Sequence, residues 1–154
     1  MELAEILAPN AVIADMRAGS KKQALLEIAQ RAAQVGGLQE RVIFDVLLER
    51  ERVGSTGLGG GIAIPHGKLN GMDRVYGVFA RLVTPIDFEA IDARPVDLIF
   101  ALLVPAGAGA DHLKALSRVS RALRGRTLVE KLRATDRAEA LYALLVEPQR
   151  SRAA

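Results

Sequence analysis

Seven consecutive apolar residues, "LIFALLV" at Leu98–Val104, constrain the fold of this chain more than any other stretch. A membrane-spanning helix needs about 20 apolar residues, so the run is far too short to cross a bilayer. Ending at Pro105, it reads as a buried strand. A second strand, "RVYGVFARLV" (Arg74–Val83), precedes it across the connection "TPIDFEAIDARP", and "AVIADM" (Ala11–Met16) makes a plausible first strand. Helical patterns lie both before and after these strands. Such a mixture indicates an α/β fold, a three-layer α/β/α sandwich around a small mixed β-sheet. The order of strands within the sheet is not readable from the pattern.

The helices announce themselves at their ends. "SKKQALLEIAQRAAQVGG" has Ser20 as N-cap, Gln23 to close a capping box, and Gly36–Gly37 as the stop. Leu25, Ile28, Ala29 and Ala32 recur at helical spacing and mark its buried face. "LQERVIFDVLLERERVG" is expected to bury Val42, Ile43, Val46 and Leu47 and to stop near Gly54, which puts Arg50 in its last turn. Asp111 is a natural N-cap for "HLKALSRVSRALRG", with His112 in the first turn. Thr127-x-x-Glu130 and Asp136-x-x-Glu139 mark one short and one longer helix.

At 154 residues one domain is the economical reading, over residues 1–147, with 148–154 a frayed tail. Aromatics are scarce at 4%, so Ala, Leu, Val and Ile must build the core. Cysteine is absent, which excludes disulfides, thiol catalysis and cysteine-based zinc sites and fits a reducing cytoplasm. The opening "MELAEILAPN" has two glutamates and no basic flank, unlike a signal peptide. The net charge is +3, but two of the arginines, Arg150 and Arg152, lie in the tail, so no nucleic-acid partner is implied. The basic run Arg118, Arg121, Arg124 and Arg126 reads as a solvated helix face.

Six of the 14 glycines crowd into "GSTGLGGGIAIPHGK" at Gly54–Lys68, around one histidine. Alternation in "GIAIPH" predicts a short strand ending at His66. Pro65 fixes its own φ and biases Ile64 toward extended geometry, so the His66 imidazole is rigidly aimed, as a nucleophile needs. The spacing matches neither a Walker loop nor the Rossmann glycine pattern, and Ser55 does not sit in a nucleophile elbow. What remains is a run of exposed N–H groups able to form an anion nest. His112, at a helix N-terminus, and Arg50, with its forked donors, both suit a phosphoryl group. Each also has a plainer reading, as a solvated side chain. A metal site on the histidine pair is a further alternative, although neither HExxH nor clustered carboxylates accompany it. Leu58, Ile62 and Leu69 are candidates for an apolar docking patch, unless they belong to the core.

Three blocks, "LLERERVGSTGLGGGIAIPHGKL", "FEAIDARPVDLIFALLVPA" and "DHLKALS", resemble enzyme IIA of the fructose/mannitol class of the bacterial phosphotransferase system. The likeness runs from the first helix to about Val146 and is strongest toward the nitrogen-regulatory branch. It implies that His66 is phosphorylated on Nε2, that Arg50 and His112 contact the phosphoryl group, and that Ser55, Thr56 and Gly57 help to bind it. One departure is Gly60, where relatives often carry Asn. The resemblance also implies an HPr-like carrier as donor, itself charged by a phosphoenolpyruvate-dependent enzyme I. Regulated targets would include potassium-transport or sensor-kinase proteins. The chain would act as a stoichiometric phosphoryl acceptor, with no cofactor and no metal. The alternative within the same chemistry is a sugar-specific IIA component passing phosphate to a IIB domain.

Overall fold

In the computed structural model, which describes residues 1–147, the apolar run becomes the most highly paired strand of a six-stranded mixed sheet. In chain order the elements are α1 (Leu3–Ile6), β1 (Val12–Met16), α2 (Lys21–Gly36), α3 (Glu40–Val53), β2 (Gly57–Gly59), β3 (Ile62–Ala63) and β4 (His66–Leu69). They continue with β5 (Tyr76–Ile86), β6 (Val96–Pro105), α4 (Ala110–Leu123), α5 (Arg126–Arg133) and α6 (Ala138–Val146). Residues 148–154, where a frayed tail was expected, lie outside the described residues.

β6 pairs antiparallel with β5 on one side and parallel with both β3 and β4 on the other. β1 extends the sheet beyond β5, and β2 beyond β3. All of β6 except Asp97 and Pro105 is buried, as a strand covered on both faces must be. α2 and α3 pack together, α2 against β5 and α3 against β4, while α4 packs on β6 and α6 on β1, so helices cover both faces. The largest fully buried side chains include Phe79, Phe88 and Phe100, so phenylalanine supplies more of the core than the low aromatic content suggested.

β3 and β4 pair with β6 in the same register, Ile62 with Leu98 and His66 with Leu102. They are two halves of one strand interrupted at Ile64–Pro65. Pro65 has no N–H to give the ladder, and the Ile64 N–H turns away to the Thr56 carbonyl at 3.1 Å. The strand expected to end at His66 therefore breaks before it, and His66 opens the second half.

α2 starts and stops where its caps require: Ser20 Oγ accepts from the Gln23 N–H, and Gly37 is left-handed at φ 66°. Gln23 reaches back to the Gly19 N–H, one residue short of a reciprocal box. Later starts differ from expectation. Gly109 occupies the N-cap of α4, and Asp111 falls within the first turn. Gly125 and Arg137 precede α5 and α6 without side-chain caps, so Thr127 lies inside α5 and Asp136 outside α6, and the two helices have eight and nine residues. Tertiary burial of Val129, Leu132, Leu141 and Leu145 sets these short helices, because packing outweighs capping at such lengths. In α3, Ile43 and Leu47 are buried as expected, but Val42 is exposed and Val46 half-buried. Arg118 also departs from the solvated-face reading: it is buried and pairs with Glu2 at 3.7 Å, while Arg121, Arg124 and Arg126 are exposed.

Candidate functional site

The glycine-rich loop is a tight return from β2 into β3. Gly59, Gly60 and Gly61 all have left-handed φ, at 98°, 67° and 83°, a run that side chains would strain. Its polar groups are held by the protein itself. The Gly60 N–H bonds Asp92 Oδ2 at 2.9 Å, and the Gly60 carbonyl accepts from Arg133, whose guanidinium also grips the Asp97 carboxylate. That Gly60 bond is the first reason the Asp92 carboxyl lies below its ordinary pKa. The Gly57 N–H bonds Ser55 Oγ at 3.0 Å. Two of the N–H groups expected in an anion nest, those of Gly57 and Gly60, are thus taken by Ser55 and Asp92, and the loop acts as a frame.

What the frame aims is His66. Its Nδ1 lies 2.9 Å from the Ile64 carbonyl oxygen. A carbonyl only accepts, so Nδ1 carries the proton and the Nε2 lone pair is left for chemistry. The ring is half-buried and stands edge-on to His112, with centroids 5.4 Å apart and planes at 61°. Arg50 is placed by helix geometry on the side of α3 that faces β4. Val46 packs on Gly67, where an added Cβ would collide with Cγ1 of Val46. Arg50 lies one turn further along the same face of α3, with Nη1 bonded to the Gly54 carbonyl at 2.8 Å.

His112 sits in the first turn of α4, with Nε2 buried and without a hydrogen-bond partner among the described residues. Its pKa lies below the ordinary 6.5, first because the ring is withdrawn from water, then through His66 and Lys68. Lys68, two residues beyond His66 on the same strand face, escaped sequence reasoning. Because the folded pKa is depressed, the unfolded chain binds more protons at this group between that pKa and 6.5. Its contribution to stability therefore declines as pH falls through 6.5 and levels off below the folded pKa. A histidine-resolved NMR titration is expected to place the His112 midpoint below that of the denaturant-unfolded chain, and a midpoint above it would contradict the withdrawn ring.

The predicted turn residues occupy other places. Ser55 Oγ donates to the Phe88 carbonyl at 2.7 Å, Thr56 is buried with its hydroxyl on Glu51, and the Gly57 N–H is taken by Ser55. Ile62 and Leu69 are core residues, which leaves Leu58 as the exposed member of the expected apolar patch. Ile91 and Leu113 are also exposed, and Leu113 directly follows His112. Sequence reasoning missed Glu51 too, although a carboxylate continuing the Ile43–Leu47 stripe at helical spacing signals a buried partner. Among the described residues, no group of three ligating side chains is placed to hold a metal ion.

A mixed sheet between two helical layers, with one oriented imidazole at a strand break, defines a protein of the phosphotransferase IIA class. The chain belongs to the EIIA 2 family of the phosphoenolpyruvate-dependent sugar phosphotransferase system, whose model matches residues 5–147. It is 51% identical over 148 residues to the nitrogen regulatory protein of Bradyrhizobium diazoefficiens, covering 96% of this chain and 97% of that protein. The nitrogen regulatory protein of Escherichia coli is 44% identical over 150 residues, covering 97% and 92%. The crystal structure of nitrogen regulatory protein IIA-Ntr from Neisseria meningitidis matches with a TM-score of 0.87 at 38% identity, covering 93% of this chain and 98% of that one. Among the described residues, no helix is long and apolar enough to cross a membrane.

Proposed function

We propose that this protein is a cytoplasmic phosphocarrier and regulator of the nitrogen branch of the phosphotransferase system, with residues 1–147 as the working domain and His66 as acceptor. The observation that carries this reading is the bond from His66 Nδ1 to the Ile64 carbonyl, which directs Nε2 to the role of nucleophile. The Nε2 lone pair attacks the phosphorus of an HPr-like carrier's phosphohistidine, and the carrier's P–N bond breaks as the new one forms. The carrier imidazole departs with the bonding pair. The His66 ring takes up the positive charge and keeps its Nδ1 proton on Ile64.

Transfer of this kind depends mainly on in-line positioning and on stabilising the equatorial oxygens. Arg50 and the His112 ring supply that stabilisation, while Ser55, Thr56 and Gly57 hold the frame. The phosphoryl group adds about −1.5 to −2 charges near His112, which the exposed Leu113 directly follows, and this changes the surface offered to target proteins. The names of the similar proteins, nitrogen regulatory protein in both relatives cited above, favour regulation over sugar transport. Incubation with enzyme I, carrier and phosphoenolpyruvate, followed by mass mapping, is expected to place one phosphoryl group on His66. Efficient onward transfer to purified fructose or mannitol IIB domains would instead favour the sugar-specific role.

A further inference from the structure

We infer that buried Glu51 is a positioning residue for His66, acting through Thr56; the catalytic half of this inference rests on His66 being the acceptor. Glu51 ends the buried stripe of α3, and its side chain is only 3% exposed. One carboxylate oxygen accepts from Lys21 Nζ at 3.0 Å and from the Thr56 N–H at 3.2 Å, and the other accepts the Thr56 hydroxyl. Lys21 is itself held by Glu89 at 3.2 Å and lies 4.9 Å from the centre of the Phe88 ring. A buried carboxylate is tolerable only when so paired.

The consequence reaches the imidazole through two backbone steps. The Thr56 carbonyl accepts from the Ile64 N–H, and the Ile64 carbonyl accepts from His66 Nδ1. Ile64 and Pro65 form the break between β3 and β4; the Pro65 carbonyl accepts from the Leu102 N–H of β6 at 2.9 Å, whereas the Ile64 N–H is held by Thr56 alone. Thr56, placed by Glu51, holds the segment there. When that hold is lost, the Ile64 carbonyl is free to turn, the Nδ1 proton loses its acceptor, and the tautomer with Nε2 protonated gains population. That tautomer has no lone pair at the attacking position.

Three variants test this: Glu51→Gln, Thr56→Val, which removes only the hydroxyl's hold on Glu51, and Thr56→Ser, which restores it. Two readouts are needed, ring-nitrogen NMR of His66 and the rate of phosphoryl acceptance from phospho-carrier. Wild type should show the Nδ1–H tautomer. Glu51→Gln and Thr56→Val should show a mixture and accept phosphate about ten- to a hundredfold more slowly, and Thr56→Ser should recover most of both. Should Glu51→Gln fail to fold, Thr56→Val decides. A folded Thr56→Val protein with wild-type tautomer and rate overturns the inference. The tautomer measurement needs no phosphoryl donor, so it stands as a test even if wild type accepts no phosphate, an outcome that would reject the functional reading instead.

Discussion

Replacing His66 with alanine is expected to reduce labelling by phospho-carrier more than about a thousandfold, effectively to background. The chain has two histidines and no cysteine, so few side chains are able to take over as nucleophile. His112, 5.4 Å away between ring centres, is poorly suited to substitute because its Nε2 is buried. His112→Ala is expected to slow labelling by about a hundredfold or less, the scale for losing one donor that stabilises transition-state charge. The His66 ring is half-buried at a strand start, so its truncation should leave the melting temperature near that of wild type. Full labelling of a folded His66→Ala protein would reject the assignment.

Phe100→Ala carries the largest expected cost in stability, about 3–5 kcal/mol. Phe100 lies in the middle of β6, is fully buried, and meets Phe79 of β5 edge-to-face with ring centres 6.1 Å apart. Deleting its ring removes its contacts with Phe79 and over Gly77 on one face of the sheet and leaves a cavity beneath a layer that closes only partly. Against a typical total of about 5–15 kcal/mol, that is a large fraction. The melting temperature should fall by roughly 6–20 °C in a domain of this size. Denaturant titration gives the free-energy change directly, and a loss below about 1 kcal/mol would show that the sheet does not depend on this ring as described.

The interior and the site differ in how readable they were. The α2 boundaries were legible because each signal is local: a serine hydroxyl meets an N–H three residues on, and a left-handed glycine follows the last turn. β6 was legible because an unbroken apolar run leaves few alternatives. The starts of α4, α5 and α6 were misplaced because cap-like residues occur by chance, and packing decided among them. At the site, His66 stood out through its proline and glycine neighbours. Ser55, Thr56 and Gly57 were singled out too, but their donors are turned inward to Phe88, Glu51 and Ser55.

Sequence alone thus determined which segments are strand or helix and singled out His66 as the candidate acceptor, because these depend on side-chain type and on contacts within a few residues. Tertiary structure decided the order of the strands, the break before His66, the proton on Nδ1 and the burial of Glu51 against Lys21. The Ile64 carbonyl that takes the Nδ1 proton is set by a backbone bond to Thr56, eight residues back, and the strand order and the Glu51–Lys21 contact depend on groups far apart in the chain. Such pairs meet only after the layers have closed, and no local pattern encodes their meeting.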